Sequence, residues 1–187
     1  LGGLTDFSDV QHILERWPPD GPKELQGNPA SVTDDTQMAL ALAEALTEAA
    51  KCGKLKPETV EPEIRKHFIR WHHSPDNTRA PGMTCLTACE NLEKDIRWQE
   101  ATIKNSKGCG ANMRVAPVAL LPSSCFETET DRAALAQYQG AFTHGHATAL
   151  AASDLTSFTV NTLLNGGDTD RLVETLKEYA YSQRSVY

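Results

Sequence analysis

Apolar positions recur with a helical period along most of this chain, and the strict alternation of a half-buried strand is absent. Met38, Leu42, Ala45, Leu46 and Ala49 form one stripe over residues 37–50, and Gly53 and Pro57 predict its end. A second helix is predicted over 61–73. It opens at Pro62, a residue favoured in a first helical turn, and carries Ile64, Phe68 and Trp71 on one side. Residues 74–82, rich in Pro, Asp, Asn and Gly, read as a loop. A short helix over 83–94 turns Cys85, Leu86, Cys89 and Leu92 inward. Residues 104–112 are small and glycine-rich, a loop. Residues 113–121 are strongly apolar, with Pro117 kinking or shortening any helix there. Leu135, Tyr138 and Phe142 mark a helix over 129–142, and an Ala/Leu/Thr-rich helix follows over 146–164. Leu172, Val173, Leu176, Tyr179 and Ala180 predict the last one, over 170–183. Residues 1–30 are mixed: a short helix near 8–16, then a turn-rich stretch over 17–22. The expected fold is all-α, a compact multi-helix domain over residues 1–187 with no internal repeat.

Composition narrows the class. A chain of 187 residues, 40% hydrophobic and 23% charged, suits one soluble globular domain. A net charge of −7 argues against a nucleic-acid grip driven by phosphate neutralisation. No apolar run approaches the ~18 residues of a membrane span, and no signal segment stands at the start. The five cysteines, Cys52, Cys85, Cys89, Cys109 and Cys125, are odd in number and form no CxxC pair. Reduced thiols in a cytoplasmic protein are the simplest account. Cys85 and Cys89, four apart on one helix face, are either a metal edge or, more commonly, buried core.

Three segments carry candidate chemistry. In Thr33-Asp34-Asp35-Thr36-Gln37-Met38, two adjacent carboxylates stand between hydroxyls where a helix starts. Thr33, Asp34 and Asp35 offer three oxygen ligands that suit a hard divalent cation such as Mg²⁺. The alternative is N-capping, with Asp34 and Gln37 as a capping box. Capping needs only one carboxylate, and two adjacent ones repel unless a cation lies between them. In Ser106-Lys107-Gly108-Cys109-Gly110-Ala111-Asn112-Met113-Arg114, glycines let backbone N–H groups approach an anion, and the helix start that follows adds a positive dipole end. Such a loop can cradle a diphosphate, with Lys107 and Arg114 adding charge. It can equally be a tight turn, with Arg114 solvated or paired to a carboxylate. In Thr143-His144-Gly145-His146 the two histidines do not share a helix face, which disfavours a helical zinc pair. A neutral imidazole there can donate to phosphate or ribose oxygens; an N-cap plus a satisfied core histidine is the other reading. His72 and His73 read as solvated groups at a helix C-terminus.

Together, and in this order, the three segments resemble the signature segments of the ADP-ribosylglycohydrolase family, which includes the dinitrogenase-reductase-activating glycohydrolase. The resemblance spans residues 1–187 and is strongest over 33–46, 106–121 and 143–155. It implies an all-α fold around a cleft holding two Mg²⁺ ions. It also implies hydrolysis of the glycosidic bond that joins ADP-ribose to an acceptor, often an arginine of a modified protein. On that resemblance Thr33, Asp34 and Asp35 are metal ligands, and Asp34 and Asp35 are also the catalytic carboxylates. Ser106, Lys107, Gly108, Cys109, Gly110, Ala111 and Asn112 wrap the phosphates and ribose, and His144 contacts the ligand. The implied partner is an ADP-ribosylated protein or another ADP-ribose derivative.

The chain also departs from the family pattern. Members usually open with a Gly-rich helix, of which Leu1-Gly2-Gly3-Leu4 resembles the end. They also carry a late Asp-x-Asp-Thr metal motif before a small-residue helix. Gly166-Gly167-Asp168-Thr169-Asp170 imitates it, but Arg171 and Leu-Val-Glu-Thr-Leu-Lys-Glu follow. That segment reads better as a helix C-cap, a turn and an N-cap. The chain therefore reads as the N-terminal two-thirds of a catalytic domain. Two functions follow: a Mg²⁺-dependent ADP-ribosyl hydrolase, or a module that binds ADP-ribose or a nucleotide without turnover. A ligand-free helical scaffold would leave the three motifs a coincidence.

Overall fold

The structure, a computed structural model, describes Thr5, residues 8–24 and residues 30–183. The Leu1-Gly2-Gly3-Leu4 element lies outside the described residues. Among these residues the chain is all-α, in the order α1 (Val10–Arg16), α2 (Asp34–Ala50), α3 (Pro57–His72), α4 (Met83–Leu92), α5 (Trp98–Ala101), α6 (Ala116–Leu120), α7 (Glu129–Ala141), α8 (Ala147–Leu164) and α9 (Leu172–Gln183). Short 3₁₀ turns occupy Cys109–Ala111 and Ser123–Cys125. An isolated parallel bridge pairs Ile103 with His144.

The periodic stripes fall on the helices expected of them, and the boundaries move for local reasons. Helix α2 starts at Asp34, three residues early, because Thr33 is extended and takes the N-cap position. The capping-box reading of Asp34 and Gln37 is overturned. Asp34 is itself helical, and the Gln37 side chain accepts from Trp71 Nε1 at 3.3 Å and donates to the Asp76 carbonyl at 3.0 Å. Helix α3 starts at Pro57 rather than near Pro62. Pro57 needs no N–H in the first turn, and the Lys56 N–H donates to Thr59 Oγ1 at 3.2 Å. Pro62 therefore lies inside the helix, where it forgoes one backbone bond. Helix α6 is shorter than the apolar run predicts, with Pro117 in its opening turn. The four-residue α5 has no periodic signal of its own; it buries only Ala101.

Helices α2 and α3 pack along each other, α4 lies on α3, α8 lies on α7 and α6, and α6 also meets α2. The core runs through Met38, Leu42 and Leu46 of α2, Val60, Ile64 and Phe68 of α3, and Cys89 and Leu92 of α4. Each such aliphatic or aromatic side chain contributes roughly 1.5–3 kcal/mol on burial. Phe142, just beyond α7, joins the halves: Phe68 meets it edge-on at 6.4 Å and Trp98 stacks on it at 6.0 Å. No helix among the described residues is long and apolar enough to cross a membrane.

Candidate functional site

The carboxylates sit where two helices begin. Asp34 and Asp35 occupy the first turn of α2, where the helix dipole favours negative charge. Asp34 is buried at 5% exposure. Its backbone N–H donates to the Arg79 carbonyl at 3.1 Å, and its Oδ2 accepts from the Gly82 N–H at 3.2 Å. Gly82 is the N-cap of α4, so this carboxylate also faces that helix's positive end. Ala80, between the two residues that hold Asp34, has φ +57. That left-handed conformation is sparsely populated by alanine and stores of order 1 kcal/mol. Asp35 is exposed and its Oδ2 accepts from Thr33 Oγ1 at 2.9 Å. The Thr33 hydroxyl is thus turned to Asp35 and makes no helix-capping bond.

The loop between α3 and α4 leads from Asp34 to the second segment. Cys85, in the first turn of α4, is buried; burial pushes its thiol pKa up, the Arg114 charge opposes that rise in part, and the Asp34 and Asp35 charges add to it. Both carboxylates therefore lie within electrostatic reach of this sulfur. Thr84, the preceding residue, shares a hydrogen bond with Ser106 at 3.0 Å between hydroxyls. Gly110 touches Cys85 from the other side: a Cβ there would stand 2.7 Å from Cys85 Sγ. It would also stand 2.7 Å from His144 Cε1 and 3.1 Å from Nε2. No left-handed φ is involved at Gly110; only the absence of a side chain lets the loop lie this close.

The remaining loop residues divide by exposure. Lys107, Gly108 and Cys109 are exposed, Gly108 caps the Cys109–Ala111 turn, and Ala111 is buried with its carbonyl accepting from Gln139 Nε2 at 2.9 Å. Asn112 Oδ1 is buried with no hydrogen-bond partner. An acceptor left unpaired in this way is costly unless something else donates to it.

His144 enters through the bridge to Ile103. The Ile103 N–H donates to the Thr143 carbonyl and the Gly145 N–H to the Ile103 carbonyl, both at 3.1 Å. Gly145 permits this approach, since a Cβ there would stand 2.8 Å from Lys104 Cα. His144 is 2% exposed, and its Nδ1 is 2.8 Å from Thr143 Oγ1. Burial first, and the Arg114 charge second, lower its pKa to about 4. His146 caps α8, its Nδ1 accepting from the Thr148 N–H at 3.1 Å. An N-cap and a core histidine are therefore both present, with His144 Nε2 turned to the glycine loop.

Two expectations are corrected. Arg114 is neither solvated nor paired to a carboxylate: it is fully buried, donating to Gln139 Oε1, the Gln139 carbonyl and Thr143 Oγ1, each at 2.8 Å. Its guanidinium lies 4.5 Å from the Phe68 ring centroid. Its charge is spent inside the protein and is not offered to a ligand. The apolar neighbours Met113, Val115 and Val118 were the sequence signal for that burial. His72 is not solvated; it is partly buried with Nδ1 unpaired, whereas His73 is exposed and lies 2.8 Å from Glu93 Oε1. Gln139 enters the site although its segment gave no signal beyond a core pattern, and Thr143 and Cys85 enter it as a partner of Arg114 and as a wall of the glycine loop, roles their segments did not signal.

Residues 167–170 lie in the turn between α8 and α9, where Asp168 Oδ1 accepts from the Asp170 N–H at 2.9 Å. Among the described residues no three His, Cys, Asp or Glu side chains gather into a metal-binding group. Asp168 and Asp170 thus join no such group with Asp34 and Asp35. The all-oxygen set of Thr33, Asp34 and Asp35 fits a hard cation that keeps several waters, as Mg²⁺ does. It fits one ion better than two. An apolar cavity of about 320 Å³ between α3 and α7, lined by Leu55, Val60, Phe126, Leu135 and Tyr138, shares no residue with this constellation.

A family model described as ADP-ribosylglycohydrolase matches residues 1–187. The chain is similar to an uncharacterized protein, YegU, of Escherichia coli K12: 30% identical over 173 residues, or 89% of this chain and 49% of that protein. It is also similar to an uncharacterized protein of Archaeoglobus fulgidus, 32% identical over 94 residues, or 50% of this chain and 28% of that protein. The chain spans about half the length, or less, of these curated relatives.

Proposed function

The chain belongs to the ADP-ribosylglycohydrolase family, and from that premise we propose that it serves a Mg²⁺-dependent hydrolase of the glycosidic bond between ADP-ribose and a protein acceptor, arginine first. The observation that carries this reading is the meeting at Gly110, whose vacant Cβ position touches both Cys85 and His144. It brings the glycine loop against the helix that holds Asp34 and against the imidazole in one place.

Thr33, Asp34 and Asp35 would hold the cation, which when bound would supply charge neutralisation and orientation for ribose hydroxyls and water. Asp34, clamped by the Gly82 N–H, keeps a fixed position. Asp35, exposed, is the carboxylate placed to take a proton from an attacking water. Backbone N–H groups of residues 108–111 would face the diphosphate, that of Asn112 being given to the Cys109 carbonyl at 2.8 Å; Ser106 and Lys107 would border it, and the unpaired Asn112 Oδ1 would accept from a ligand hydroxyl. His144 donates to a ligand oxygen. Holding the ribose in one orientation supplies much of the acceleration.

A second reading has its own support. The acidic ligands come from one segment, and a dinuclear clamp needs acids from more than one. Binding of ADP-ribose without turnover fits that donor set. ADP-ribosylated arginine is incubated with the protein and Mg²⁺, with and without chelator, and ADP-ribose affinity is measured by calorimetry. Chelator-sensitive release of ADP-ribose supports the hydrolase. Binding without release supports the module. Absence of both contradicts the site.

A further inference from the structure

His144 turns its imidazole toward Gly108 and Gly110 of the glycine loop, and the donors and acceptors around it can be counted. Thr143 Oγ1 receives the Arg114 Nη2–H at 2.8 Å. A guanidinium has no acceptor, so the direction of that bond is set. The hydroxyl has one proton to give and two candidate acceptors, His144 Nδ1 at 2.8 Å and the Gly140 carbonyl at 3.5 Å. The Gly140 carbonyl already accepts the Thr143 N–H at 3.1 Å and the His144 N–H at 2.9 Å, which uses both its lone pairs. The hydroxyl proton therefore goes to Nδ1. A proton on Nδ1 instead would leave two donors converging on one oxygen and send the hydroxyl toward a saturated carbonyl.

Arg114 is itself fixed from all sides. Gln139 takes two of its N–H groups, Met38 Sδ and Cys85 Sγ lie 3.6 and 3.8 Å from Nη1, and the Phe68 ring covers its face. Nothing in that set is a carboxylate, so the guanidinium charge stays uncancelled beside the imidazole and opposes a second positive charge there. His144 Nε2 makes no bond to any described residue and lies 3.5 Å from the Cβ position of Gly108.

We infer that Arg114 and Thr143 are positioning residues that hold His144 as a neutral imidazole with its proton on Nε2, so that His144 meets the ligand only as a hydrogen-bond donor. Its partner is then an oxygen acceptor, a diphosphate or ribose oxygen, and His144 takes no part as a base. This rests on the ADP-ribose reading for the identity of the ligand. The protonation of the ring does not.

The test is ¹⁵N NMR of the His144 ring in the ligand-free protein at neutral pH. A pyridine-like Nδ1 and a pyrrole-like Nε2 are expected. In Thr143→Val the hydroxyl is gone, and the ring should populate the other tautomer; Thr143→Ser should restore the wild-type signature. ADP-ribose affinity should fall about tenfold in Thr143→Val and recover in Thr143→Ser, the loss of one hydrogen bond with a charged partner. A proton on Nδ1 in the wild-type protein overturns the inference outright, whether or not Thr143→Val folds. An unchanged signature in a folded Thr143→Val does the same. An Nε2–H ring in a protein that ignores ADP-ribose supports the positioning of His144 by Arg114 and Thr143 and counts against the proposed ligand.

Discussion

Replacing Gly110 with alanine adds one methyl group at the point where the three segments meet. Its Cβ would stand 2.7 Å from Cys85 Sγ, 2.7 Å from His144 Cε1 and 3.1 Å from His144 Nε2. Comfortable carbon contacts begin near 3.5 Å, so relief requires a movement of roughly 1 Å. Neither neighbour can withdraw easily. Cys85 is buried in the first turn of α4 beneath Arg114, and His144 is tethered at Nδ1. The loop must therefore move. Overpacking of this kind costs about 1–3 kcal/mol, a fall in Tm of roughly 2–12 °C for a domain of this size. Backbone donors displaced by that distance lose their ligand bonds, and ADP-ribose affinity should fall at least about tenfold. Gly108→Ala is the control: its Cβ meets His144 Nε2 at 3.5 Å, an ordinary contact, so stability should stay within about 0.5 kcal/mol. Differential scanning calorimetry and binding calorimetry read both quantities. A Gly110→Ala protein that melts and binds like the wild type would refute the reasoning, as would a Gly108→Ala protein that is the less stable of the two.

Asp35→Asn, at an exposed position, should change stability by no more than about 0.5 kcal/mol yet weaken Mg²⁺ binding in calorimetry; a large fall in Tm with unchanged metal affinity would return Asp35 to a purely structural role. Gln139→Leu removes the side-chain acceptor of the Arg114 Nε–H and the donor to the Ala111 carbonyl while keeping the backbone carbonyl that Arg114 Nη2 uses, so urea unfolding should show a loss of about 1–3 kcal/mol. Ala80→Gly relieves the left-handed strain at φ +57 and should be neutral or stabilising by up to about 1 kcal/mol in the same assay. The unfolded His144 imidazole titrates near 6.5 and the native one at about 4, so its contribution to stability is complete above pH 6.5 and declines as pH falls toward 4. Between pH 7.5 and 5 the native state should lose about 2 kcal/mol on this account, with His67, also lowered by burial, acting in the same direction. His144→Gln should shrink that pH dependence; an undiminished one would place the effect elsewhere.

The helices were legible because their apolar stripes repeat over several turns, as with Met38, Leu42 and Leu46 of α2. Boundaries were less so. The start of α3 turned on a choice between Pro57 and Pro62 that depends on one bond to Thr59. The three chemical segments stood out by residue type and order, but their meeting did not, because it runs through residues with ordinary local patterns. Cys85 reads as core and is core, yet it is also the wall shared by the carboxylate helix and the glycine loop. Arg114 shows the opposite failure. A cation next to a glycine loop invites a phosphate, and only tertiary packing reveals that Gln139, Thr143 and Phe68 enclose it. The strain at Ala80 had no sequence signal, since glycine or asparagine is the residue expected at such a φ.

The most direct test of a single ADP-ribose site built from all three segments is an amide ¹H–¹⁵N NMR titration of the protein with ADP-ribose in the presence of Mg²⁺. Saturable shifts should cluster at Asp34 and Asp35, at residues 108–112 and at His144, with the α8–α9 turn around Asp168 unaffected. No saturable response, or one centred on the cavity around Tyr138 instead, would contradict it.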